Sequence, residues 1–139
     1  MSKNRIYLRL SCVPSNVGVA RIAVATFAAS LDFTVPDIEE IKVAVSEAVS
    51  NAVLHAYPGG EGDVALTAYA DGDGLVVEVE DQGVGIPDLA RAREPGFTTA
   101  SDHMGLGLSF MESFTDDLYL ESTPGGGTRV RMIKRRCSA

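Results

Sequence analysis

The chain has 139 residues, 45% of them hydrophobic and 22% charged, with a formal net charge of -7, no tryptophan and two cysteines. That length fits one domain whose folding buries about two-thirds of the surface of the unfolded chain, and the near-average composition excludes disorder. The acidic balance excludes binding to nucleic acid or anionic membrane through overall electrostatics, and no run approaches the roughly 18 apolar residues of a transmembrane helix.

Cys12 and Cys137 form no motif and no disulfide framework, the default of a reducing interior. The start MSKNRIYLRL is too short and alternating for a signal peptide, so the expected location is cytoplasmic. Arg5 to Cys12 alternates Ile6, Leu8, Leu10 and Cys12 with polar partners, which predicts a half-buried strand ended by Pro14. Ser15 or Asn16 can cap a helix running to about Leu31, with Val17, Ala20, Val24, Phe27, Ala28 and Leu31 recurring at three and four residues. Arg21, the one strong charge on it, reads on spacing alone as a snorkelling surface residue.

Asp32 to Val35 is a connector, and Pro36 and Asp37 suit the first turn of a second helix that runs to about His55. Tyr57-Pro-Gly-Gly-Glu-Gly62 stops it, and strands over Asp63 to Ala70 and Leu75 to Glu80 are joined by Asp71-Gly-Asp-Gly74, a hairpin signal that makes them antiparallel neighbours. From Asp81 to Leu108 periodicity disappears, in a segment longer than a structureless connection usually is. A short helix from about Leu106 to Phe114, a strand from Asp117 to Glu121, a Pro124-Gly-Gly-Gly127 turn and a strand from Thr128 to Lys134 complete the chain, the basic Lys134, Arg135 and Arg136 marking a strand end or solvated tail.

Three stretches carry chemistry. In the second helix Glu47, Asn51 and His55 recur every four residues, so they stack on one face about 6 Å apart, on a helix otherwise apolar nearly all round. Such a stripe faces either water or a site, and in an interior it requires a hydrogen-bond, metal or ligand partner. Asp81-Gln-Gly-Val-Gly-Ile-Pro87 follows a strand, where glycines two apart allow close backbone approach and the aspartate can accept from an exocyclic amine, a combination that suits either a purine base or an ordinary turn. Gly105-Leu-Gly-Leu108 opens the third helix and offers backbone N-H groups to an anion, although tight helix entry explains two glycines equally well. No P-loop and no dinucleotide fingerprint are present.

Taken together, Glu47-x-x-x-Asn51-Ala, Asp81-x-Gly83-x-Gly85-Ile86, Phe97-Thr-Thr99, Gly105-Leu-Gly107-Leu108 and Gly127-Thr128 resemble, in order and spacing, the GHKL ATPases, the superfamily of gyrase, MutL, heat-shock chaperone and sensor histidine kinase ATP-binding domains. The phrase VSEAVSNAVLHAY, the small size and the absence of an upstream phosphoacceptor or dimerisation helix resemble the anti-sigma factor serine kinases of sporulation and stress control, over essentially the whole chain. The resemblance implies an α+β two-layer sandwich of the Bergerat type, a mixed, mainly antiparallel sheet with helices on one face, as a single domain over 1-139 with an ATP lid at about 88-105.

It further implies an ATP-dependent serine/threonine kinase, a cytoplasmic homodimer that sequesters an RNA polymerase sigma factor and phosphorylates an anti-anti-sigma protein on serine. Asn51 would coordinate Mg²⁺ on the phosphates of ATP or ADP, and Asp81 would bind the adenine amine with help from Thr128. Gly83, Gly85, Gly105 and Gly107 would bring backbone to the nucleotide, with Ile86, Thr99, Leu106 and Leu108 in the same motifs, and Glu47 would accept the proton of the attacking hydroxyl. Arg21 corresponds to a partner-contacting position. The lid departs from the family, because Ala100 and His103 stand near the places of a usual lysine and arginine. That departure keeps two alternatives open: a catalytically weak, nucleotide-dependent sigma-binding module, and a detached sensor histidine kinase ATPase domain.

Overall fold

The computed structural model describes residues 4-85 and 102-136, the latter stretch as backbone alone over 102-107. In chain order the elements are β1 (Arg5–Ser11), α1 (Ser15–Ala29), α2 (Val35–His55), β2 (Asp63–Asp71), β3 (Gly74–Asp81), α3 (Asp102–Phe114), β4 (Asp117–Thr123) and β5 (Gly127–Arg135). The strands form one sheet in the order β1-β2-β3-β5-β4, and every pairing among them is antiparallel. The expected two-layer α+β architecture is what forms, and the described strands need none of the parallel pairing that a mixed sheet allows.

Period-two patterning turns this register into rows of side chains on one face. Leu8, Leu66, Val79, Val130 and Leu120 are cross-strand partners in succession, so one row crosses all five strands. The row beside it runs Ile6, Ala68, Val77, Met132 and Leu118. These rows and the buried faces of the helices make the core: Ala20, Val24 and Phe27 from α1, Ile41, Ala44, Val45, Ala48, Val49 and Ala52 from α2, and Leu108 and Met111 from α3. The opposite face of the sheet is polar and open. There Arg129 and Arg131 reach Glu78 at 3.0 and 3.7 Å, and Arg131 lies over the Tyr119 ring.

Local chemistry sets the element ends. Thr34 caps α2, its hydroxyl accepting from the Asp37 amide at 3.3 Å, with Pro36 just inside the helix. The β2-β3 turn passes through Gly72 at φ 60°, a conformation glycine adopts without Cβ strain. At α1 the expected side-chain cap does not form: Pro14 occupies the N-cap, Ser15 is already helical, and the Asn16 amide instead donates to the Ser11 carbonyl at 2.8 Å, closing the turn after β1. The third helix starts at Asp102, a turn ahead of the expected Leu106, so Gly105 and Gly107 lie within it. A glycine costs about 1 kcal/mol in a helix interior, which packing of the helix against its neighbours outweighs.

Leu66 lies at the centre of the five-strand row and is 1% exposed. Leu66→Ala is expected to lower stability by about 2–5 kcal/mol, read as a fall in the urea midpoint at unchanged slope.

Candidate functional site

One step beyond the row of Leu8, the core face continues as Leu10, Val64, Asp81, Thr128 and Ser122. Three of five positions on a face that is otherwise aliphatic are therefore polar. Here the sheet is faced by the C-terminal half of α2, and a narrow cleft with a cavity of about 30 Å³ lies between them. Its floor is Val79, Val130 and Leu120, its α2 wall is Ala48, Asn51, Ala52, His55 and Ala56, and Leu108 of α3 closes one side. Asp81, Thr128 and Gly85 line the remaining edge. Apolar walls with a few convergent polar groups are the make-up of a small-molecule site.

Asp81 is 8% exposed. Its Oδ1 accepts from the Gly83 amide at 2.9 Å, and Thr128 is its cross-strand partner. Burial raises the carboxyl above the usual carboxylate range, the amides of Gly83 and Thr128 oppose that rise, and neighbouring Glu80 adds to it. The carboxylate is thus a desolvated acceptor held in place by backbone. Thr128 is held in turn, its Oγ1 lying 3.0 Å from Ser122 Oγ, whose hydroxyl also donates to the Gly127 carbonyl at 3.1 Å.

The loop after Asp81 is fastened on both sides. Val84 N-H donates to the Ala56 carbonyl at 2.9 Å, and Gly125 N-H of the β4-β5 turn donates to the Val84 carbonyl at 2.8 Å. Gly83 lies so close to the end of α2 that a Cβ would meet the Ala56 carbonyl, and Gly85, at φ 77°, has the Thr123 carbonyl where a Cβ would stand. The two glycines are needed for this double fastening, and Gly85 also lines the cleft.

On α2, Asn51 and His55 of the expected stripe line the cleft, while Glu47 sits half-buried one turn earlier. Asn51 Oδ1 is buried and accepts no hydrogen bond among the described residues. An orphaned amide oxygen is a hard donor of the type that Mg²⁺ takes, so the residue fits a magnesium ion bound chiefly through phosphates and water. Leu108 is buried at 1% exposure against the same cleft, and the backbones of Gly105, Leu106 and Gly107 are helical in α3. Because the helix begins at Asp102, Gly105 and Gly107 are past its opening residues, where the free N-H groups of a helix start are found. Ile86, Phe97, Thr99 and Ala100 lie outside the described residues, and His103 is placed as backbone alone.

Arg21 is not at the cleft. It is half-buried on α1 with Nη1 donating to Ser46 Oγ of α2 at 3.4 Å, so the guanidinium links the two packed helices. Exposed Val19 and Ile22 flank it on α1. Two contributors escape sequence reasoning. Ser122 is signalled only by its cross-strand pairing with Thr128, and the aliphatic floor has no motif at all, only period-two strands.

Residues 10–134 match the family described as the histidine kinase-like ATPase domain. The anti-sigma F factor of a Thermoanaerobacter species is 43% identical over 133 residues, 94% of this chain and 93% of that protein. The anti-sigma F factor of Bacillus subtilis is 40% identical over 135 residues, 95% of this chain and 92% of that protein. Among solved structures, the RsbU and RsbW domains of a Mycobacterium tuberculosis protein superpose with a TM-score of 0.71 at 21% identity, a likeness of fold that covers 98% of this chain and 35% of that one. The histidine kinase domain of a blue-light activated histidine kinase from Erythrobacter litoralis superposes with a TM-score of 0.53 at 28% identity, over 71% of this chain and 44% of that one.

The raised carboxyl gives a pH prediction. A carboxyl whose native value exceeds its unfolded value of about 4 favours the folded state at low pH, and that contribution is lost as pH rises through the native value. Asp81→Asn should therefore flatten the fall in apo-protein melting temperature above pH 4 and leave the protein at pH 7 no less stable than wild type, while nucleotide affinity drops at least tenfold. Thermal melts across pH 4–7 and calorimetric titration with ATP check both halves.

Proposed function

Since the chain belongs to the histidine kinase-like ATPase family and, within it, to the group of the anti-sigma F factors, we propose that it is an ATP-dependent anti-sigma factor that also phosphorylates an anti-anti-sigma protein on serine. The observation that carries this reading is the joining of Asn51, with its orphaned Oδ1, and buried Asp81 in one cleft. A base acceptor and a hard metal donor at two places in one apolar cleft suit a purine nucleoside triphosphate.

Asp81 accepts the adenine amine, with Thr128 beside it, and Val79, Val130, Leu120 and Ala52 receive the ring faces. Asn51 Oδ1 is the ligand for Mg²⁺, which when bound neutralises charge on the phosphates. Gly85 brings backbone close at the cleft edge, and Gly83 packs the loop onto α2, with Ile86, Thr99, Gly105, Leu106, Gly107 and Leu108 completing the nucleotide contacts. Glu47, one helical turn from Asn51, takes the proton from the serine hydroxyl as its oxygen bonds to the terminal phosphorus and the bond to the leaving ADP breaks.

The partner surface lies on the helical layer. Arg21 bonds Ser46 of α2, the residue before Glu47 in sequence, and α1 also exposes Val19 and Ile22, so the helical layer offers a docking surface for a protein partner. A sigma factor and the serine substrate competing for this surface would give partner switching, with the protein working as a cytoplasmic homodimer. No helix among the described residues is long and apolar enough to cross a membrane.

The lid substitutions Ala100 and His103 favour a second reading, a sigma-binding module with weak transfer, since a missing cation weakens stabilisation of transition-state charge. Incubation with Mg-ATP and a cognate antagonist is expected to yield acid-stable phosphoserine, and Glu47→Ala should reduce the rate at least 100-fold with ATP affinity within about threefold of wild type. No phosphoserine but ATP-dependent sigma capture supports the module, and an acid-labile product points to a sensor-kinase type of transfer.

A further inference from the structure

Tyr57 stands just beyond α2, the last residue of the phrase VSEAVSNAVLHAY and without a role assigned above, and its hydroxyl makes two hydrogen bonds to separate parts of the fold. It donates to the Asp63 carbonyl at the start of β2 at 2.7 Å and accepts from the Gln82 amide at 2.9 Å. Gln82 is the residue after Asp81, between the base acceptor and the Gly83 amide that holds it. The hydroxyl therefore fixes, from the outside, the same turn that the Ala56 carbonyl fixes through Val84 N-H.

The ring itself is seated by a glycine. Gly62 lies directly beneath it, and a Cβ there would collide with Cζ and both Cε atoms of Tyr57. Gly62 has an ordinary negative-φ or extended backbone, since it is not among the residues at positive φ, so its small size serves the ring and not a turn. The Gly62 carbonyl also accepts from Cys12 N-H at 2.9 Å, tying this seat to the end of β1. Tyr57 packs against the core and is half-buried, which limits its alternative rotamers.

We infer that Tyr57, seated on Gly62, is a positioning residue for base recognition: its hydroxyl holds the Asp81-Gln82-Gly83 turn so that the Asp81 carboxylate meets a 6-amino purine. This rests on the reading of Asp81 as the adenine acceptor. The side chain does not line the cleft and holds only the turn that carries Asp81, so its effect is expected at the base and not at the phosphate end. A tyrosine retained only for folding would stabilise the protein without altering which purine it prefers.

The test is the ratio of affinities for Mg-ATP and Mg-ITP, the latter carrying an oxygen where ATP carries the amine, measured by calorimetric titration on wild type, Tyr57→Phe and Gly62→Ala. Wild type is expected to prefer ATP. Tyr57→Phe should reduce that preference about fivefold, the equivalent of ~1 kcal/mol, by weakening ATP binding with ITP binding unchanged. Gly62→Ala, which leaves every hydrogen-bonding group in place and displaces only the ring, should reproduce the loss. A lower melting temperature with the wild-type ATP/ITP ratio in both variants overturns the proposal and makes Tyr57 a fold strut alone. A wild type that does not distinguish ATP from ITP overturns the Asp81 reading itself and the proposal with it.

Discussion

The junction between the end of α2 and the loop after β3 is the constraint on which the site depends. Asn51 and Glu47 belong to the helical layer and Asp81 and Thr128 to the sheet, and nothing in either layer alone sets their separation. Val84 N-H on the Ala56 carbonyl at 2.9 Å, with Gly83 pressed against that same carbonyl, joins the two layers at the edge of the cleft. Because the link is backbone to backbone and a Cβ at Gly83 would not fit, the junction sets the distance between the loop and α2. The phosphate end and the base end of the site are thereby held as one body.

Burial and polarity are balanced within that body. An α2 apolar nearly all round is driven onto the sheet by Ala44, Val45, Ala48, Val49 and Ala52, and this brings Asn51 in with an amide oxygen that no described group satisfies. Across the cleft, Asp81 occupies a position that an aliphatic side chain, Val79 and then Val77, fills in the two rows before it. Both features cost stability in the empty protein. They are tolerable because backbone amides support Asp81 and because the remaining core rows are continuous, and a bound nucleotide recovers the cost as affinity.

Much of this was legible in the sequence where the cause is local. Alternation fixed the five strands to within about two residues, Asp71-Gly-Asp-Gly74 fixed the β2-β3 register through Gly72, and the spacing of Glu47, Asn51 and His55 placed two of the three on the cleft wall. Where several side chains compete for one role the sequence was ambiguous: Pro14, not Ser15 or Asn16, sits at the α1 cap, and the Asn16 amide donates to the Ser11 carbonyl instead. Packing also carried α3 through its two glycines. Tyr57, Ser122 and the anchoring of Arg21 on Ser46 were not legible as contacts, since each joins segments that are brought together only when the sheet and helices have assembled.

The central claim, that one backbone junction holds both halves of a nucleotide site, is tested most directly by the Mg-ATP affinity of Gly83→Ala. This change removes no hydrogen-bonding group and forces a methyl against the Ala56 carbonyl. In a protein with wild-type circular dichroism, the account predicts an affinity at least tenfold weaker, the equivalent of ~1.4 kcal/mol. Wild-type affinity in a folded Gly83→Ala protein would contradict it.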